Sequence, residues 1–212
     1  MKVLELFSGT GSVGKICKNY GYTVTSLDLK NADINCNIMN WDYKTIPKDS
    51  FDIIWASPPC NSFSVMQNAI KSKDDILKNI EINGLPILRK TEEIIEYFNP
   101  KYYFIENPQT GRMKEYIADK NFFDVDYCMY SDWGYKKRTR IWTNLIGFNN
   151  LTCNKQCGNI ININGHLLHK SNCGNTRTLK ILGAKPTTLK DRYRIPPRLI
   201  ESILDVIESS TK

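Results

Sequence analysis

Lys2-Val3-Leu4-Glu5-Leu6-Phe7-Ser8-Gly9-Thr10-Gly11-Ser12 opens the chain and decides its fold class. Residues 2–7 alternate and then run apolar, as a central strand does. The run Ser8–Ser12 is turn-forming, and Val13, Ile16, Cys17 and Tyr20 then recur at helical spacing, with Gly21 placed to end the helix. Thr23 to Leu27 is β-branched and apolar, and Asp28 ends it. Strand, glycine turn, helix, strand and acid together describe an adenosine site. The glycines let backbone approach a ligand and aim helix amides at it, and the acid holds ribose hydroxyls. The turn completes neither the dinucleotide fingerprint nor the Gly-Lys-Ser/Thr of a phosphate loop. Its plain alternative is a structural glycine turn.

Outward from this unit the same grammar repeats. Phe51 to Ala56 reads as a strand ending at Ser57-Pro58-Pro59-Cys60. Leu85, Leu88, Ile94, Ile95 and Phe98 mark a helix, and Tyr102 to Ile105 a strand ending at Glu106-Asn107-Pro108. Polar motifs at the carboxyl ends of alternating strands predict a doubly wound α/β sheet with its ligands in the crevice beyond those ends. After Phe122 the pattern changes. Phe122–Tyr130 and Arg138–Ile146 read as consecutive strands joined around Trp133-Gly134-Tyr135, which makes the sheet mixed. Residues 149–190 are polar, with weak periodicity, and Pro196-Pro197 opens a helix with Leu199, Ile200, Ile203, Leu204 and Ile207 on one face. There is no internal repeat.

The 212 residues suffice for one large domain with its own core, and 41% hydrophobic with 24% charged residues is the balance of a soluble globular chain. Met1 to Phe7 already reads as buried strand, so little is expected to precede the fold, and no apolar run is long enough to span a membrane. A net charge of +7 favours a polyanionic partner such as nucleic acid, against a merely solvated basic surface. Seven cysteines, an odd number, without a secretory leader point to an intracellular, reducing compartment.

Chemistry concentrates at three places. Pro58 and Pro59 fix the backbone so that Cys60 is held rigidly at the crevice, where a thiolate is a strong nucleophile; the bland alternative is a buried packing cysteine. Glu106 sits at a neighbouring strand end, where a carboxyl group moves or holds a proton. Arg138 and Arg140, two apart in a strand, share one face and suit carbonyl or phosphate oxygens. For these charged residues the bland alternative is a solvated face.

In this order the motifs resemble the cytosine-5 DNA methyltransferase family. Phe7-x-Gly9-x-Gly11 matches its cofactor loop, Pro59-Cys60 its nucleophile loop, Glu106-Asn107 its acid loop, and Lys136-x-Arg138-x-Arg140 its paired-arginine strand. Arg194-Ile195-Pro196-Pro197 resembles its last motif, which closes the cofactor pocket. The resemblance runs from Val3 to about Ile207, apart from the Cys/His segment. It implies a Rossmann-like fold of the S-adenosylmethionine-dependent methyltransferase type, with S-adenosylhomocysteine as product. It also implies attack of Cys60 on carbon-6 of an extruded cytosine, with Glu106 on the ring nitrogen and amine, and with Arg140, supported by Arg138, on the base carbonyl or the catalytic loop. Cofactor contacts are expected from Phe7, Gly9, Thr10, Gly11, Ser12, Asp28, Leu29, Asn37, Ile38, Ser57 and Pro58, and base contacts from Pro59, Asn61, Ser62 and Asn107. Pro108 stands where the family has Val, Lys136 where it has Gln, and Asn37 where it has Asp. None of these removes a reacting group.

Three other readings stay open. One branch of this family methylates transfer RNA. A catalytically idle nucleic-acid-binding or regulatory homologue would keep the fold. An amino-methyltransferase also uses Ser-Pro-Pro, although it places an aromatic where Cys60 stands. The family usually inserts a large target-recognition domain before its last motif. Here residues 149–190 leave room only for a small module within a single catalytic domain, so sequence reading is limited or delegated to a partner protein. Cys153, Cys157, His166, His169 and Cys173 in that module are zinc-ligand types at irregular spacing. Polar loop residues that pack or meet phosphate are the alternative, with Lys170, Arg177, Lys180 and Lys185 nearby for DNA.

Overall fold

The computed structural model describes residues 1–163, 165–171 and 187–210. β1 (Lys2–Leu6) is buried on both faces after Lys2, which is why its sequence is nearly all apolar. α1 (Ser12–Asn19) carries the chain to β2 (Thr23–Asp28), which pairs parallel to β1. Gly21 ends this helix in a left-handed conformation (φ +76°) and turns the chain into β2. The short β3 (Ile34–Asn35) extends that edge, and β4 (Ile53–Ala56) and β5 (Tyr102–Pro108) add in parallel on the other side of β1.

β6 (Phe122–Asp126) and β7 (Arg138–Thr143) then close the sheet in the order β3-β2-β1-β4-β5-β7-β6, with β7 antiparallel to both neighbours. The mixed, doubly wound sheet is the one expected. β6 is shorter than its sequence implied, because residues Tyr127–Met129 turn as a 3-10 segment in place of continuing the strand. Their side chains have other partners, described below.

Alternation of side chains sorts the core. Val3, Ile53, Trp55 and Phe104 face α1 and the C-terminal helix α5 (Pro197–Ser209), whose Leu199, Ile200, Ile203, Leu204 and Ile207 are buried. Each of these five contributes about 2 kcal/mol of burial. Tyr20 ties the two helices, its hydroxyl donating to Asp205 Oδ1 at 2.7 Å, and Tyr22 does the same to Glu208. On the other face Leu4, Leu6, Ile54 and Ile105 pack on α3 (Leu85–Phe98).

α3 is preceded without a break by α2 (Lys73–Asn79) and a π-helical turn (Ile80–Gly84), an extension of the predicted helix toward its N-terminus. A Cβ on Gly84 would stand 2.9 Å from the Phe63 ring, so glycine at 84 is what lets this helix meet the loop after Cys60.

The polar segment holds a hairpin that its weak periodicity concealed: β8 (Ile160–Ile163) and β9 (His166–His169), turned through Gly165 at φ +83°. The short α4 (Leu189–Tyr193), boxed at Thr188 and Asp191, leads into α5. Cys173, Arg177, Lys180 and Lys185 lie outside the described residues. Among the described residues no helix is long and apolar enough to cross a membrane.

Candidate active site

Beyond the carboxyl ends of β1, β2, β4 and β5 lies a cavity of about 820 Å³, the size of small-ligand sites. Of the residues singled out in sequence, Phe7, Gly9, Thr10, Ser12, Asp28, Leu29, Asn37, Ile38, Ser57, Pro58, Pro59, Cys60, Asn61, Glu106, Asn107 and Arg138 line it. Gly11, Ser62 and Arg140 do not. Gly11 instead caps α1 in a left-handed conformation, φ +65°. The Cβ of Ser62 faces Gly84 on the π-helical turn.

The turn after β1 bends at a non-glycine residue. Phe7 has φ +58°, a conformation that costs about 1–3 kcal/mol and marks functional turns. Asp28 braces the turn, its Oδ2 accepting from the Gly9 N–H at 2.8 Å and its Oδ1 from the Leu29 N–H at 2.6 Å. Two of the first α1 amides are taken by a side chain in place of the expected ligand. The N–H groups of Val13 and Gly14 donate to Glu5 at 3.2 and 3.0 Å. Burial pushes the Glu5 carboxyl up to about 7 against those two bonds. A Cβ on Gly14 would stand 2.6 Å from Glu5 Oε2, so Glu5 and Gly14 require each other. The charged residue inside an otherwise apolar strand was the available signal for this pair. Ile195 closes the far side, its N–H donating to Ser12 Oγ at 3.2 Å, as the last motif implied.

The groups fit a nucleoside cofactor. Phe7, Ile38 and Leu29, the last 66% exposed at the rim despite being apolar, offer surface for a base, and Asp28 and Asn37 offer polar contacts beside them.

The Cys60 loop is clamped from β5. The buried Asn107 Nδ2 donates to the Pro58 carbonyl at 2.8 Å, and the Arg112 N–H donates to the Phe63 carbonyl at 2.8 Å. Asn107 Oδ1 is buried without a partner among the described residues, leaving a free acceptor beside the cavity. Burial raises the Cys60 thiol pKa; Lys137 opposes the shift and Glu106 adds to it.

Glu106 Oε1 accepts from the Tyr127 hydroxyl at 3.1 Å and pairs with Lys137 Nζ at 3.5 Å. Burial holds the Tyr127 phenol far above its ordinary range, so it remains a donor. Lys137 also donates to the Arg192 carbonyl at 3.1 Å and lies over the Tyr127 ring at 4.7 Å. Lys137, Arg192 and Tyr127 were missed in sequence. The signal for Lys137 was its place between Lys136 and Arg138.

The arginines are held by cross-strand acids. Arg138 grips Asp126 through two bonds of 3.0 and 2.6 Å, and Arg140 grips Asp124 at 2.8 and 2.9 Å. The register pairs these same residues across β6 and β7. Arg140 also stacks on Phe122 at 3.6 Å, which holds it away from the cavity wall that Arg138 reaches. Asp126, fully buried, additionally meets Lys136 at 3.3 Å and the Cys153 N–H at 2.6 Å.

The Cys/His set is rearranged. Cys153, Cys157 and His169 meet, joined by the unpredicted Cys128. His166 is exposed, because an odd spacing on one strand puts it on the opposite face from His169.

Comparison with known proteins agrees with this geometry. Residues 1–143 match the model of the C-5 cytosine-specific DNA methylase family. A Frog virus 3 (isolate Goorha) protein named "Probable DNA (cytosine-5)-methyltransferase" is 41% identical, covering 97% of this chain and 100% of that protein. The solved structure of the Entamoeba histolytica methyltransferase EhMeth superposes with a TM-score of 0.57 at 14% identity, covering 100% of this chain and 99% of that one, a likeness of fold.

Proposed function

Since the chain belongs to the C-5 cytosine-specific DNA methylase family, we propose that it methylates carbon-5 of cytosine in DNA with Cys60 as covalent nucleophile. The observation that carries this reading is the convergence of Cys60, Glu106 and the Phe7/Asp28 turn on one cavity. Methyltransferases of this kind use S-adenosylmethionine. Phe7, Ile38, Leu29, Asp28 and Asn37 are the residues that would hold it, with Ile195 across from them. When bound, it supplies the methyl group that carbon-5 accepts.

Cys60 Sγ adds as thiolate to carbon-6 of the cytosine ring. Glu106 bonds the ring nitrogen and exocyclic amine and stabilises the charge that attack pushes into the ring. The thiol is half-buried and desolvation raises its pKa, which favours the protonated form in the free enzyme. Lys137, beside both Cys60 and Glu106, favours the thiolate as substrate docks. Asn107 fixes the Pro58-Pro59-Cys60 backbone, so Sγ is positioned before the base arrives. After methylation a base removes the carbon-5 proton, and the carbon–sulfur bond breaks to return Cys60. Arg138 is the arginine on the cavity wall and acts on the base or the Cys60 loop. Arg140 supports the strand through Asp124.

The test is mass spectrometry of nucleosides from DNA and from RNA, each incubated with the protein and isotopically labelled cofactor. Labelled 5-methylcytosine in DNA, lost in Cys60→Ser, is the expected result. Label confined to RNA, or no label in either, would overturn the reading of the substrate.

A further inference from the structure

We infer that Cys128, Cys153, Cys157 and His169 form a structural zinc site that fastens the β8–β9 module to the catalytic sheet. The four ligand atoms lie within 4.8 Å of one another, although they come from the turn after β6, from the loop after β7 and from β9. His169 Nε2 is 3.6 Å from Cys153 Sγ and 3.4 Å from Cys157 Sγ. A tetrahedral zinc ion with Zn–S of about 2.3 Å and Zn–N of about 2.0–2.1 Å sets sulfur–nitrogen edges of about 3.5 Å. The observed spacings are those edges.

Three thiolates and one imidazole are a soft donor set that selects zinc, and four protein ligands leave no open position for catalysis. The surroundings are built for bound sulfur. The Lys155 N–H donates to Cys153 Sγ at 3.2 Å, and Lys155 adopts φ +68° where the Cys153–Cys157 loop curls back. Outer bonds of this kind orient thiolate ligands. A divalent ion in this donor set leaves a net negative charge, and Lys136, donating to the Cys153 carbonyl at 3.0 Å, sets a cation beside it.

The module needs such a fastening. β8 and β9 form a separate two-stranded sheet without a fully buried apolar residue, and two strands alone are marginal in water. Residues beside the ligands also reach the active site. Tyr127, bonded to Glu106, precedes Cys128, and the Cys153 N–H holds Asp126, which holds Arg138. The family match ends at residue 143, so three of the four ligands lie beyond the matched segment.

The test is elemental analysis of the whole protein, purified reduced and without chelator. About one zinc per chain is expected. His169→Ala and Cys128→Ala should lose it, and His166→Ala, on the same strand but facing away, should keep it. If the ligand variants do not fold, wild-type protein exchanged into cobalt answers instead. Thiolate-to-cobalt charge-transfer absorption with intense four-coordinate ligand-field bands supports the site. Folded wild-type protein that takes up neither metal overturns the proposal, as does a disulfide among the three cysteines in freshly purified protein. Zinc lost by His166→Ala and kept by His169→Ala overturns it too.

Discussion

Cys60 stands half-buried just beyond the end of β4, where Lys137 favours its thiolate and Glu106 opposes it. Its place after two prolines at a strand end was visible, as were Glu106 and Asp28, because each closes a strand whose pattern is local. The groups that set its reactivity were not. Lys137 reaches it from the turn just before the antiparallel β7, and Arg192 from the segment before α5, both far from Cys60 in the chain. The paired arginines were read correctly as sharing a face, but spacing carries no information about the cross-strand acids that hold them. Because burial raises the Cys60 pKa, alkylation by iodoacetamide in the free enzyme should be slow near neutrality and accelerate as pH rises. Lys137→Met removes the main opposing charge and should move that profile to higher pH. At a fixed pH below the pKa the rate should fall about tenfold for each unit of displacement. Peptide-resolved mass spectrometry follows it. A profile that stays in place or moves down would remove Lys137 from this role.

At the level of elements, β1, α1, β2, β4, α3, β5 and α5 were legible because hydrophobic period and turn chemistry agree in them. The β8–β9 hairpin was not, since its strands bury little and leave almost no alternation to read. Cys128 was likewise hidden in an assumed strand until Tyr127–Met129 proved to turn. The β1–α1 junction gives a prediction of its own. Folding raises the Glu5 pKa from 4.5 to about 7, so the folded state favours the protonated form. Its contribution is complete below about pH 4.5 and is lost as pH rises through 7, by up to about 3 kcal/mol. Urea unfolding of wild type and Glu5→Gln should therefore show their stability difference shifting against wild type from pH 5 to pH 8. A difference independent of pH would mean that the amides of Val13 and Gly14 fully offset the burial.

Across the whole molecule, the candidate site gathers at the carboxyl ends of the sheet strands of a 212-residue chain. Phe7, Asp28, Cys60 and Glu106 come from four parallel strand ends and meet in one cavity, and the +7 charge suits a nucleic-acid partner. Only a short stretch of chain separates β7 from α5, and we propose on that ground that target reading is loose or delegated to a partner. The covalent step on Cys60 is open to direct trapping. Carbon-5 must lose its proton before Cys60 can leave, and a fluorine there cannot be removed that way. The direct measurement is trapping on a duplex pool that carries 5-fluorocytosine in every sequence context, with S-adenosylmethionine present. The expected result is an adduct that survives denaturing electrophoresis, maps by peptide mass to Cys60, disappears in Cys60→Ser and persists in Cys17→Ser. An adduct on another cysteine, or full methylation of ordinary DNA by Cys60→Ser, would contradict it.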